Sequence, residues 1–122
     1  MFYFECRFMV QLHKHVAMWK DGLMDKYDPG LFPLGRRIVS KNALSVLSEA
    51  GTDPNRLFER HAAGDWGVIE DKSWYLNRMA VDGGYGSVAS VYAVLGDVRV
   101  VVLTGPDRRN TLMALPDEIQ GL

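Results

Sequence analysis

The last third of this chain alternates runs of strand-forming residues with short turns, and this pattern restricts the fold more than any other feature. Ser87–Leu95 and Val98–Thr104 are rich in Val and Tyr, and Gly96-Asp97 separates them as a two-residue turn. Gly105-Pro106-Asp107 separates the second run from a third, Asn110–Leu115. β-branched runs joined by glycine-containing turns are typical of antiparallel hairpins. The sequence therefore predicts a three-stranded antiparallel meander, followed by a helical turn at residues 116–118.

Three short helices are predicted before these strands. Each has a capping or acidic residue at its start and glycine at its end, as helix termini favour. Trp74, Leu76, Met79 and Ala80 supply the apolar content of the third helix. Helices followed by a meander predict an α+β fold, with two or three short helices packed on a small antiparallel meander. The predicted starts are Ser40, Thr52-Asp53-Pro54 and Glu70-Asp71, and the predicted ends are Gly51, Gly64 and Asp82-Gly83-Gly84.

The first 30 residues are compatible with more than one secondary structure. Aromatic and aliphatic residues occupy alternate positions from Phe2 to Leu12, which favours a strand. The spacing of Phe4, Phe8, Leu12 and Val16 also fits one face of a helix. We expect a strand near residues 2–10 and a helix near 11–20, with a turn at 28–30. Residues 31–39 should form a connector that leads into a short extended segment.

Length and composition exclude several classes of protein. A chain of 122 residues fits one domain, and a net charge of −1 with no long basic stripe makes nucleic acid an unlikely partner. No apolar run approaches the roughly 20 residues that span a membrane, and we expect no signal peptide. The single cysteine, Cys6, fits a reducing compartment, so a cytoplasmic location is expected. No spacing predicts a metal site or a cofactor.

The segment Arg60–Gly67 contains a histidine, an aspartate and a tryptophan where the second helix should end. His61 shares a helical face with Leu57 and Phe58, so it is either a histidine at the core edge, hydrogen-bonded to backbone, or a general acid/base. Asp65 and Trp66 follow the helix end. They are either an Asx turn and a plug at the core edge, or a loop that presents the indole to a partner. We interpret the loop as the part that is free to act.

Two further pairs could complete a site with this loop. Asn77 and Arg78 lie inside the third helix, where an interior Asn indicates a buried hydrogen-bond role. Asp107 and Arg108 lie in the turn between two strands. They are either solvated charges or a pair that orient each other near the Trp66 loop. The candidate binding residues are His61, Asp65, Trp66, Asn77, Arg78, Asp107 and Arg108.

From Leu31 to Ile119 the chain resembles small uncharacterised proteins, labelled plasmid-related, of bacterial plasmids and integrative elements. The resemblance implies a mobile-DNA context and no particular reaction. It also implies a family-like core at 31–122 with residues 1–30 as an elaboration, and Met9, Met18 and Met24 leave a later natural start open. The chain departs from the pattern at Gly105-Pro106, where relatives carry an acidic and a small residue. The residues that carry the resemblance are Phe32-Pro33-Leu34-Gly35-Arg36, Ala43-Leu44, Arg60-His61, Gly64-Asp65-Trp66-Gly67, Asn77, Asp107-Arg108, Thr111 and Leu115-Pro116.

Two functions are consistent with the sequence. The favoured hypothesis is a non-catalytic binding module, which forms a homodimer or docks on a host protein through an N-terminal strand edge or the Trp66 loop. The alternative is a small hydrolase or ribonuclease-like enzyme. In that enzyme His61 would be the acid/base, Asp65 or Asp107 its partner, and Arg108 the anion stabiliser.

Overall fold

A computed structural model of the protein describes residues 3–5 and 30–119. In this part of the chain, three α-helices precede a C-terminal meander, and all strands belong to one sheet. The helices are α1 (Lys41–Ala50), α2 (Pro54–Ala63) and α3 (Asp71–Gly83). The strands are β1 (Tyr3–Glu5), β2 (Arg36–Ser40), β3 (Val88–Leu95), β4 (Val98–Thr104) and β5 (Asn110–Ala114), and a 3₁₀ turn follows at Pro116–Glu118.

The helix boundaries follow from local capping, and the predicted boundaries are confirmed. The Ser40 side chain accepts a hydrogen bond from the Ala43 backbone at 3.0 Å, which satisfies one of the free amides in the first turn of α1. Asp53 caps α2 in the same way, through the Asn55 backbone. Each helix ends at a glycine in the left-handed region, namely Gly51, Gly64 and Gly84.

The sheet has the order β1-β2-β5-β4-β3. The meander β3-β4-β5 is antiparallel, as predicted. The extended segment before Ser40 is strand β2, which joins the sheet parallel to β5, with Ile38 opposite Leu112. The complete sheet is therefore mixed, and the predicted antiparallel meander forms one part of it. Three helices and the strands β3 and β4 separate β2 from β5 in the chain. This long connection allows β5 to return beside β2 in the parallel direction.

Part of the N-terminal prediction lies within the described residues. Tyr3–Glu5 is a strand, antiparallel to β2, at one edge of the sheet. The rest of the predicted strand at 2–10, the predicted helix at 11–20 and most of the turn at 28–30 lie outside the described residues.

The core lies between the helices and one face of the sheet. Alternate strand residues face inward, so Val88 and Tyr92 of β3 share this face with Val100 and Val102 of β4. Phe58 of α2 is fully buried against them. At β3, the edge strand, α2 and α3 both contact the sheet. This edge is where most of the predicted site residues lie.

Candidate functional site

His61 lies in the protein core and not at its edge. Both ring nitrogens contact side-chain hydroxyls: Nδ1 lies 2.5 Å from Ser90 Oγ, and Nε2 lies 2.9 Å from Thr104 Oγ1. Thr104 Oγ1 also lies 2.7 Å from Thr111 Oγ1, which donates to the Leu34 carbonyl at 2.7 Å. These contacts form a continuous buried polar chain that joins α2 to three strands and to the segment before β2.

The donor and acceptor directions along these hydrogen bonds determine which nitrogen of the His61 ring is protonated. A hydroxyl has one hydrogen, and Thr111 donates its hydrogen to a carbonyl, so Thr104 must donate to Thr111. The Thr104 oxygen is then left to accept from Nε2–H of His61. Ser90 donates to the unprotonated Nδ1. Burial, reinforced by the positive charge of Arg108, lowers the pKa of His61 to about 3, so the ring is neutral near pH 7.

The expectation of a histidine at the core edge is therefore corrected. Its side chain is bonded to hydroxyls and not to backbone, and no part of the residue is exposed. Ser90, Thr104 and Thr111 were not identified from the sequence as partners of this histidine, although the position of Ser90 in its strand predicts that it is buried. Ser90 alternates with Val88 and Tyr92, so a period of two places it among inward-facing residues. A hydroxyl at such a position needs a buried partner, and a histidine provides one.

Trp66 is buried, and the prediction that it is free to contact a partner is wrong. Only 2% of the residue is exposed, and its indole N–H donates to the His61 carbonyl at 3.1 Å. One side of the indole meets Trp74, with ring centroids 5.8 Å apart. The alternative interpretation of Trp66 as a plug is confirmed. The helix end explains this position, because Gly64 turns the chain back over the last turn of α2.

The segment after Trp66 pairs with the outer edge of β3. Val91 donates to the Trp66 carbonyl at 3.1 Å, and Val68 donates to the Val91 carbonyl at 2.7 Å. Gly67 makes an isolated parallel bridge with Val91. Its φ of +77° favours glycine, and a β-carbon would overlap the Val91 carbonyl. The Gly-Asp-Trp-Gly sequence is thus explained by edge pairing.

Asp65, between the end of α2 and Trp66, is exposed. It forms a two-point ion pair with Arg60, with Nε–Oδ2 at 2.7 Å and Nη2–Oδ1 at 3.2 Å. The hydrogen bond from Arg60 lowers the pKa of the Asp65 carboxyl and raises that of the guanidinium. Arg60 also lies over the Tyr92 ring at 4.5 Å, and the Tyr92 hydroxyl donates to the Asp65 carbonyl at 2.6 Å. Asp65 therefore holds the loop against α2 and β3.

Asn77 and Arg78 point in different directions. Asn77 is buried, and its side-chain amide pairs with the backbone of Ala89 on β3: Nδ2 donates to the carbonyl at 2.7 Å, and Oδ1 accepts from the N–H at 3.1 Å. The predicted hydrogen-bond role is confirmed. Arg78 is paired on the surface with Asp82, one helical turn later, at 2.9 Å.

Asp107 and Arg108 do not orient each other. Asp107 accepts from the Arg109 backbone at 3.0 Å, as in an Asx turn. Arg108 donates to the carbonyls of Gly86 at 2.5 Å, Gly105 at 3.1 Å and Ala80 at 3.1 Å. The predicted mutual orientation is wrong, because the backbone of Arg108, at φ +60°, directs its side chain toward the end of α3.

The structure brings His61 and Arg108 into contact with the same aromatic ring, that of Phe32. Phe32 meets the His61 ring edge-on, with centroids 5.2 Å apart, and the Arg108 guanidinium lies 5.5 Å from the Phe32 centroid. A buried phenylalanine thus contacts both the predicted acid/base and the predicted anion stabiliser. These residues form a structural cluster, and a ligand-binding role for them stays a prediction.

The largest group of exposed apolar side chains among the described residues lies elsewhere, on α3. Ala80 is buried, but Tyr75, Leu76 and Met79 are 61%, 53% and 50% exposed. At roughly 100° per residue these three lie within one arc on the helix side opposite Asn77. Sequence periodicity missed this surface, because apolar residues surround much of α3.

Tyr85 extends this surface beyond the C-terminus of α3. It is 71% exposed, and its ring lies over Gly83, where an added β-carbon would come within 2.9 Å of the ring. Gly83 falls on the same helical side as Met79. The result is one continuous apolar strip, here named the α3 stripe, which comprises Tyr75, Leu76, Met79 and Tyr85.

Comparisons with known proteins give no relative: no family model, curated protein or solved structure matches the chain. Among the helices of the described residues, none has the length and apolar character needed to span a bilayer. The same residues contain no group of three or more His, Cys, Asp or Glu side chains suited to holding a metal ion.

Proposed function

We propose that this protein is a non-catalytic interaction module that binds a protein partner through the α3 stripe. One observation carries the proposal: three large apolar side chains on one side of α3, together with Tyr85 just beyond its C-terminus, are half or more exposed. Monomeric proteins seldom expose contiguous apolar patches, because leaving such a surface in water is unfavourable. Large aromatic side chains and methionine are also enriched in protein interfaces.

The burial of His61 supports this proposal over the enzyme alternative. A general acid/base must reach within hydrogen-bond distance of the proton that it transfers. Both nitrogens of His61 are engaged by Ser90 and Thr104, and the residue is buried. Asp107 and Arg108 are each committed to backbone groups. A hydrolase or ribonuclease-like reaction at these residues is therefore less well supported than binding.

The cellular setting is a proposal of the same kind. The resemblance to plasmid-related proteins supports an accessory role on a mobile element, with the partner supplied by the bacterial host or by the element. The single cysteine, Cys6, supports action in the cytoplasm.

A capture experiment tests the proposed function. The full-length protein, the Leu76→Glu/Met79→Glu variant and the Val98→Glu variant are each immobilised and exposed to bacterial lysate. Val98 is also an exposed apolar residue, but it lies in β4 outside the stripe, so it is a matched control. We expect the wild type and Val98→Glu to retain a partner that the stripe variant loses. The identified partner, once purified, should bind with the same dependence in calorimetry.

Circular dichroism should show that the variants remain folded, since each substituted side chain is exposed. Equal capture by all three proteins, or capture by none together with the absence of stripe-dependent self-association, would contradict the proposed function.

A further inference from the structure

The α3 stripe has a symmetry that identifies its occupant. Tyr75 and Met79 are each two residues from Asn77, which is the midpoint of the 13-residue helix Asp71–Gly83. In an antiparallel pair of α3 helices related by a two-fold axis at this midpoint, Tyr75 of one copy would meet Met79 of the other. In a two-fold interface every contact occurs twice: if residue 75 of the first copy contacts residue 79 of the second, residue 79 of the first also contacts residue 75 of the second. Thioether contacts with aromatic rings are favourable.

The charges beside the stripe have the same symmetry. Lys72 and Asp82 are each five residues from the midpoint, on the helix side that carries the stripe, and they have opposite charges. The two-fold arrangement therefore places Lys72 of each copy beside Asp82 of the other. In a parallel arrangement, like charges would meet. The Asp82 side chain is 60% exposed although it pairs with Arg78, and a carboxylate can accept several hydrogen bonds.

We infer that the α3 stripe binds a second copy of this chain, with the two α3 helices antiparallel across a two-fold axis. The inference rests on the proposed function, because it assigns an occupant to the same surface. Tyr75, Leu76 and Met79 of one copy meet those of the other, and Leu76 lies next to the axis. Contact along about three helical turns belongs to the small interface class, below about 1,200 Å², so the dimer should dissociate in the micromolar range.

The β3 edge of the sheet does not compete for this role. Asn77 occupies the outer edge at Ala89, and the backbone of 66–68 occupies it at Val91. A second copy that added a strand at β3 would have to displace both contacts. Helix pairing through α3 leaves them intact.

Sedimentation equilibrium of the full-length protein between 1 and 500 µM, taken as roughly bracketing the expected micromolar dissociation, tests this inference. We expect a reversible monomer–dimer equilibrium. Lys72→Glu should weaken the dimer at least about tenfold, because it places like charges together at two symmetric positions. Lys72→Glu/Asp82→Lys restores opposite charges and should return the dissociation constant to within about threefold of wild type. Lys41→Glu, the same change at an exposed position of α1, should have no effect.

Disulfide trapping tests the orientation. In a Cys6→Ser background, Tyr75→Cys mixed with Met79→Cys should form the mixed disulfide faster than either protein crosslinks to itself, because an antiparallel pair places 75 opposite 79. Glu59→Cys, on an exposed side of α2, is the control and should remain uncrosslinked. Faster crosslinking of each protein to itself would overturn the antiparallel arrangement.

The remaining outcomes separate this inference from the proposed function. A chain that stays monomeric throughout, or a dimer that Lys72→Glu leaves unchanged or that the double variant fails to restore, overturns the inference. If the monomeric protein still captures another protein in a stripe-dependent way, the proposed function stands and only the second copy is excluded. If neither association depends on the stripe, both fail.

Discussion

At the scale of single residues, the sequence located the polar and aromatic residues of the candidate site but did not predict what each side chain binds. His61 was located on an inward helical face by its spacing from Leu57 and Phe58, and this holds. Its partners could not be identified, because Ser90, Thr104 and Thr111 are 29 or more positions away in the chain. Adjacent residues are also assigned to separate roles. Asp107 closes a turn while Arg108 reaches the end of α3.

The neutral His61 should make stability depend on pH. Its pKa is about 3 in the folded protein against an ordinary value of 6.5, so between these pH values the unfolded chain binds a proton that the folded protein does not. Stability should therefore fall as pH drops from 6.5 toward 3, by up to about 1.4 kcal/mol per pH unit from this group. His61→Gln keeps one donor and one acceptor without titrating near neutrality.

The wild type and His61→Gln should be unfolded in urea at pH 7, 6, 5 and 4, a range of about three pH units. Comparing the two isolates the contribution of His61 to stability from those of other titratable groups. At pH 7 His61→Gln should be less stable by about 1–3 kcal/mol, because a non-ideal fit weakens buried hydrogen bonds. The difference should shrink as pH falls below 6.5. A difference that stays constant across this range would contradict a buried neutral imidazole.

Arg108 should be required for stability although it lies in a turn. Its guanidinium donates to three carbonyls on separate segments, those of Gly86, Gly105 and Ala80. Lysine retains the charge but lacks the planar fork, so Arg108→Lys should cost about 1–3 kcal/mol in the free energy of unfolding. Arg109→Lys at the neighbouring exposed position should change it by less than about 0.5 kcal/mol. Equal effects in chemical denaturation would show that charge alone matters at Arg108.

At the scale of elements, locally encoded features were predictable and long-range pairing was not. The starts of α1 and α2 and the ends of all three helices follow from capping residues within a few positions, and acidic residues mark the start of α3, so the sequence located them. The β3–β4 turn is likewise encoded by Gly96-Asp97. The parallel pairing of β2 with β5 joins residues more than 70 positions apart, and no local preference records it.

The contact between α3 and the sheet edge should depend on one side chain. Asn77 makes two hydrogen bonds to the Ala89 backbone, and Asn77→Ala leaves both groups without this partner. We expect a loss of about 1–3 kcal/mol in the free energy of unfolding and faster hydrogen exchange at the Ala89 amide. Arg78→Ala removes only an exposed ion pair and should cost about 0.5 kcal/mol or less. Unchanged exchange at Ala89 in the Asn77 variant would contradict the proposed dependence.

At the scale of the whole molecule, the fold treats the outer edge of β3 and the α3 stripe differently as surfaces for association. The outer edge of β3 is covered at Ala89 by a side chain and at Val91 by a loop, as expected for an edge that must not recruit other strands. The α3 stripe is left open. Paired helices form a closed dimer, whereas strand addition at an edge can continue without limit. Covering the edge therefore favours finite assembly.

Opening the edge should convert finite assembly into aggregation. Gly67→Ala places a methyl group against the Val91 carbonyl at a left-handed φ, so the loop must leave β3. We expect a loss of about 1–3 kcal/mol in stability and slow growth of light scattering under conditions where the protein remains folded. Gly51→Ala is the matched control, because it has a similar φ of +71° with open space around the added carbon. It should be mildly destabilised and should not aggregate, since the same strain there exposes no strand edge. Equal aggregation of the two variants would instead attribute the effect to lost stability alone.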